Sequence, residues 1–149
     1  HTSDIEGITI SGGEPFLQAK DLSLLLKKIK TNKDLGVIIY TGYTYDELLT
    51  LDKQEDIVSV LSFTDLLIDG GYEENLNDGL SLRGSSNQKI IALSKRYVDV
   101  IDKHYGLEKR ECELLINDKD IRLLGIPNQK SLKTFKAIIK RINNKGEKL

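Results

Sequence analysis

The sequence predicts an α/β fold: a mostly parallel sheet built from βα units, finished by a C-terminal β-hairpin and helix. Two observations carry this. Short β-branched runs alternate with stretches whose apolar residues recur at helical spacing. After residue 107 the period changes to strict alternation on either side of a polar turn. The 149 residues suit one domain, divided here into a core over residues 1–107 and a hairpin–helix extension over 108–149 packed on it.

Ile8 and Ile10 lie in the first strand. Leu22, Leu25, Leu26 and Ile29 then predict a helix over residues 17–31, and Val37 to Tyr40 a buried second strand. Thr44 and Glu47 have the spacing of a capping box, so a helix starts there. A further helical patch covers residues 55–61, and Leu66, Leu67 and Ile68 form the third strand. Residues 70–80, rich in glycine, asparagine and acids, read as a loop.

Ser85 and Gln88 repeat the capping-box spacing and predict a long helix with Ile90, Leu93, Tyr97 and Ile101 on one face. Lys103, His104 and Gly106 suit its carboxyl end. Cys112, Leu114 and Ile116 alternate before an Asn-Asp-Lys-Asp turn, and Ile121 and Leu123 after it, which is a hairpin. Leu132, Phe135, Ile138, Ile139 and Ile142 mark the last helix, with Lys133, Lys136, Lys140 and Arg141 on its solvated face.

With 22 basic and 23 acidic residues the chain has no electrostatic footprint for nucleic acid or an anionic membrane. No apolar run approaches the ~20 residues of a membrane span, and a single cysteine excludes an internal disulfide and fits a reducing cytoplasm. Chemistry is concentrated instead at Ile8 to Pro15, ITISGGEP. Gly12 and Gly13 leave the strand end without Cβ atoms, so the backbone can take positive φ and approach a ligand. Glu14 follows, held extended by Pro15. Open carbonyls beside a carboxylate suit an ammonium group and repel a phosphate. Thr41-Gly42 and Asp69-Gly70 fall at the ends of the next two strands, the rim on which parallel βα sheets bind ligands.

Gly12-Gly13-Glu14 resembles the GGE motif of radical S-adenosylmethionine (SAM) enzymes. With IYTGYTYDE (residues 39–47), DLLIDG (65–70) and LRGSSNQKI (82–90), the order and spacing are similar to the anaerobic ribonucleotide reductase activating protein family, the glycyl-radical-enzyme activases. The resemblance implies a partial (βα) radical SAM barrel. It implies SAM and a [4Fe–4S] cluster as cofactors, a glycyl radical enzyme as partner, and an electron donor such as flavodoxin or ferredoxin. It also implies that Gly12, Gly13 and Glu14 hold the methionyl ammonium, with Thr41 near SAM and Asp69 facing its pocket. Arg83 and Asn87, at the amino end of the predicted helix, are expected on the SAM or partner cleft.

Such enzymes carry a CxxxCxxC loop ahead of the GGE strand, whose thiolates ligate the cluster. Here the only cysteine is Cys112, on the other side of the motif, and one thiolate cannot hold a cluster that takes four ligands. The chain is therefore read as a catalytically silent part of a longer activase, lacking the cluster loop. Cys112, among alternating apolar neighbours, reads as a buried structural thiol. His1 and His104 have no triad partner nearby in sequence. Two rivals stand beside this reading. One is a cluster-free adaptor that keeps the fold without the reaction. The other is an unrelated nucleotide-binding module, for which GxxxxGK and GxGxxG are both missing.

Overall fold

Leu66, Leu67 and Ile68 expose no surface, so their strand has to be covered on both faces and paired on both edges. The computed structural model, which describes residues 5–103, 107–117 and 120–146, meets that requirement with the following elements. They are β1 (Gly7–Ile10), a 3₁₀ turn at Pro15–Gln18, α1 (Ala19–Asn32), β2 (Gly36–Tyr40), α2 (Tyr45–Leu48), α3 (Gln54–Phe63) and β3 (Leu66–Asp69). A 3₁₀ turn at Glu74–Leu76, β4 (Lys89–Ala92), α4 (Val98–Lys103), β5 (Glu113–Ile116), β6 (Ile121–Leu124) and α5 (Gln129–Gly146) follow.

The main sheet has the order β1-β2-β3-β4. The first three strands are parallel, with Ile10 opposite Ile39 and Tyr40 opposite Ile68. β4 is antiparallel to β3, pairing Ile68 with Ile90 and Asp69 with Lys89. Among the described residues this is an open sheet, with β1 and β4 as its edges. On one face Val37, Ile39 and Leu67 pack with Phe16, Leu22, Leu26, Leu48, Ile57 and Val60, and α1 lies against α3. On the other face Leu66 and Ile68 pack with Tyr97, Ile38, Ile90 and Ile101. β5 and β6 form a separate antiparallel hairpin with Leu114 opposite Leu123.

The first three strands, the Thr44–Glu47 capping box, the hairpin and the last helix agree with the sequence reading. The long helix expected from Ser85 does not form. Its first part is β4, and only Val98–Lys103 is helical. The second edge of buried β3 explains this: its N–H and C=O groups need partners, and the β-branched pair Ile90-Ile91 supplies them. The supposed capping residues keep one contact of a capping box, from Ser85 N to the Gln88 side chain, but open no helix and also bond elsewhere. Ser85 Oγ accepts from Glu73 N, and Gln88 spans Gly70 O, Gly84 N and Ser85 N. His1, His104, Gly106 and the Asp118-Lys119 part of the hairpin turn lie outside the described residues. No helix among the described residues is long and apolar enough to cross a membrane.

Below the sheet, opposite the glycine motifs, Asp65 joins three elements. Its carboxylate accepts from Lys30 Nζ of α1 at 2.7 Å, Val37 N of β2 at 2.9 Å and Ser94 Oγ after β4 at 2.6 Å. Burial pushes this carboxyl up, but the hydrogen bonds from Lys30, Ser94 and Val37, with the Lys30 charge, outweigh burial and hold it below the usual carboxylate range. A depressed folded pKa gives stability that is fully present above the unfolded value of about 3.9 and is lost as pH falls through the folded value. Asp65→Asn should therefore cost about 1–3 kcal/mol at neutral pH, as expected when buried donors lose an ionised acceptor. Urea denaturation across the acid range should show the gap between variant and wild type closing below about pH 4.

Lys53 precedes α3 at φ 66°, a left-handed conformation, and its side chain makes no capping bond. A side chain in that region costs roughly 1–2 kcal/mol, partly offset in glycine by the entropy of the unfolded chain. Lys53→Gly should raise stability by about 0.5–1 kcal/mol in the same denaturation assay. Unchanged or lower stability would mean that the αL backbone carries no strain there.

Candidate ligand site at the strand ends

The strand-end glycines meet in one cavity of about 500 Å³. Ser11, Gly12 and Gly13 line it from the end of β1, Tyr40 to Gly42 from β2, and Gly70 to Tyr72 from β3. Leu82, Arg83, Gly84 and Gln88 form a further wall, and Arg110, Gly125 and Ile126 reach in from the C-terminal extension. That volume suits a small organic ligand.

Gly12 and Gly13 have φ of 90° and 56°, and a Cβ built on either would meet nothing within 4 Å. Backbone conformation, not crowding by the protein, is what requires glycine here. The space a side chain would take is the approach to the cavity. Glu14 is extended and caps the 3₁₀ turn at Pro15. Its Oε1 accepts from Phe16 N at 3.1 Å and Thr41 Oγ1 at 2.8 Å, and its Oε2 from Gly42 N at 2.8 Å. The sequence suggests a carboxylate open to a ligand; the structure makes it a staple between the ends of β1 and β2. A carboxylate has about four acceptor positions, so three bonds leave room for about one more donor. The 4% exposed Thr41 is similarly committed, since its hydroxyl donates to Glu14 and accepts from Tyr43 N.

Asp69 is 1% exposed and lies beneath the rim. Its carboxylate accepts from Tyr45 N, the first residue of α2, at 2.8 Å and from Lys89 N at 3.0 Å. It orders the cavity floor without lining it. Asn87 is exposed and donates to Gly71 O at 2.8 Å, which fixes the loop after β3. Arg83 does line the cavity, with its guanidinium on Asp78 at 2.7 Å. The wall before it is strained: Leu82 has φ of 70°, and its carbonyl accepts from Tyr40 Oη at 2.6 Å. Such a backbone persists where its surroundings over-determine it.

Four lining contributors have no signal in the sequence. Gln88 is buried and bridges Gly70 to Gly84, a role hidden by its match to a capping box. Arg110, Gly125 and Ile126 flank the strands of the hairpin, far along the chain from the glycine motifs at the strand ends.

Residues 1–91 match the model of a family described as a 4Fe-4S single cluster domain. The chain belongs to this family. It is also 31% identical over 91 residues to the anaerobic ribonucleoside-triphosphate reductase-activating protein of Enterobacteria phage T4. That similarity covers 59% of this chain and 54% of the relative, so the chain spans about half the length of the curated relative it matches. Family and relative together support an activase-type radical SAM protein. No solved structure matches.

The family's cluster does not fit the residues present. A [4Fe–4S] cluster is held by cysteine thiolates, and the matched stretch contains none. Cys112 is half-buried, not fully buried as its neighbours suggest, and sits in a second cavity with Leu114, Leu123 and Phe135. Among the described residues no group of three or more histidines, cysteines or acids could hold a metal ion.

The Glu14 staple gives a direct test. Glu14→Ala strands the N–H groups of Phe16 and Gly42, and should cost about 1–3 kcal/mol of stability by denaturation. Glu14→Gln keeps the shape but exchanges one acceptor for a donor, and should recover only part of that loss. Wild-type stability in both variants would show that the staple contributes nothing.

Proposed function

We propose that this chain is the SAM-holding part of an activating protein that generates a glycyl radical on a partner enzyme. Anaerobic ribonucleotide reductase is the partner that the T4 relative's name suggests. The observation that carries the reading is the convergence of three strand-end glycine motifs on one cavity, with Gly12 and Gly13 both in positive φ. In that reading the carbonyls at Gly12 and Gly13 and the remaining acceptor position of Glu14 receive the methionyl ammonium. Thr41 holds Glu14 in place, and Asp69 and Asn87 support the floor and the loop behind it. Arg83 lines the wall with its charge paired to Asp78. SAM, when bound, supplies a sulfonium whose carbon–sulfur bond is the reactive one, and the chain's share is to fix its direction.

No electron-transfer step is assigned to these residues, because they do not supply the cluster's thiolates. Ligation of a [4Fe–4S] cluster, and receipt of electrons from a flavodoxin or ferredoxin, are assigned to protein outside this stretch. The cysteine-free match also favours a second reading, a cluster-free binding domain that retains the fold. The two differ in whether the full-length protein of which this chain is read as a part, reconstituted anaerobically with iron and sulfide, forms 5′-deoxyadenosine from SAM.

Titration calorimetry of SAM into the chain tests the first reading. Wild type should bind, and a Gly12→Val, Gly13→Val double variant should lose about tenfold or more in affinity, since β-branched side chains are poorly accommodated at positive φ and would fill the approach. Absence of binding to a folded wild-type chain would sink the reading.

A further inference from the structure

The family match ends at residue 91, yet the cavity is not complete without residues beyond it. Arg110, Gly125 and Ile126 supply a wall, and the extension carrying them is sewn to the loop after β3. Ser81 N donates to Glu108 O at 2.8 Å, Arg110 N to Gly79 O at 2.7 Å, and Asn77 Nδ2 to Pro127 O at 3.3 Å. Leu80 and Lys109 form a β-bridge in the same seam.

Two arginines face this cavity, and their charges are treated differently. Arg83 is neutralised by Asp78. Arg110 donates from Nη1 to the Arg83 carbonyl at 2.6 Å and from Nη2 to Asn77 Oδ1 at 2.7 Å, both neutral acceptors. Among the described residues no carboxylate pairs with it, which sets it apart from Arg83; its Nε, like that of Arg83, is enclosed without an acceptor. A partly buried guanidinium held by neutral groups retains most of its attraction for an anion, and its planar fork matches a carboxylate. Gly12 and Gly13 line the same cavity, and with their carbonyls as acceptors, as the SAM reading has them, the wall would carry complementary groups for both charges of an amino-acid zwitterion.

Resting on the SAM reading above, we infer that the C-terminal hairpin completes the ligand site and that Arg110 selects ligands bearing a carboxylate. Arg110 is a specificity-determining residue in this scheme, and Asn77 and the Arg83 carbonyl are what aim it.

Calorimetry on the whole chain with two ligands tests this. SAM carries the amino-acid end; 5′-methylthioadenosine keeps the nucleoside and thioether and lacks that end. Arg110→Ala should lose about tenfold or more in SAM affinity, the usual scale for one charge-assisted contact, with 5′-methylthioadenosine within about twofold. Arg110→Lys, which keeps the charge and loses the fork, should fall between. Melting curves for both variants check that the seam holds. Unchanged SAM affinity in Arg110→Ala overturns the inference. Equal losses for both ligands overturn it too, because Arg110 would then act only by bracing the wall. A wild-type chain that binds 5′-methylthioadenosine and rejects SAM removes the amino-acid end from the site while leaving the cavity a nucleoside pocket. Failure to bind either ligand removes the SAM reading itself.

Discussion

The carboxylate of Glu14 is the contact on which the ligand site depends. Parallel strands have no tight turn to join their ends, so the tips of β1 and β2 can be held in register at the rim only by side chains or by the loops themselves. Glu14 bonds Thr41 Oγ1 and Gly42 N across that gap and Phe16 N on its own side. With the tips joined, the two positive-φ glycines before Glu14 are carried to the same cavity as Gly42. Asp69 and Asp65 do comparable work on β3. Asp69 joins its upper end to α2 and β4, and Asp65 joins its lower end to α1, β2 and the segment after β4. A largely apolar sheet is thus tied at its ends by three acids, each bonded to donors on neighbouring elements.

These acids also explain what could and could not be read from the chain. Apolar periodicity and the glycine pair locate β1 to β3, α1, α3 and the rim, because these depend on local sequence alone. Thr44 and Glu47 reveal their helix start for the same reason. The partner of a carboxylate is not local: Asp69 meets Tyr45 and Lys89, 24 and 20 residues away. The sequence therefore shows that Asp69 stands at a strand end on the rim but not that its carboxylate is bonded to Tyr45 and Lys89. β4 fails to show for a related reason. Its four residues are set by the unpaired edge of β3, while the capping-box spacing of Ser85 and Gln88 offers a local helix that loses to that non-local demand.

Family membership and chemistry separate in this chain. The matched stretch, residues 1–91, contains β1 to β3, all but the last residue of β4, and the strand-end glycine motifs. A cluster is a matter of thiolates, and that stretch has none. The two facts are compatible because the glycine rim and the cluster ligands perform distinct tasks: one positions a ligand, the other holds iron. Asp69 and Glu14 bond to donors of this chain's own backbone and side chains, so their presence supports the scaffold more directly than the reaction.

The extension past residue 107 changes how the scaffold closes. In an open sheet the rim would be bounded by the loops after each strand and little else. Here the seam from Gly79 to Arg110 lays a hairpin beside the loop after β3, so that Gly125 and Ile126 become cavity wall. The cost is a guanidinium held partly from water by neutral acceptors, which is unfavourable in a protein interior unless an anion offsets it. An apolar residue at position 110 would fill the same wall without that penalty, although it would forgo the bonds to Asn77 and the Arg83 carbonyl. Those two bonds use one N–H on each terminal nitrogen and leave the charge itself unanswered. The balance favours a ligand that answers it, and places the selectivity of the site on a segment that the glycine motifs do not announce.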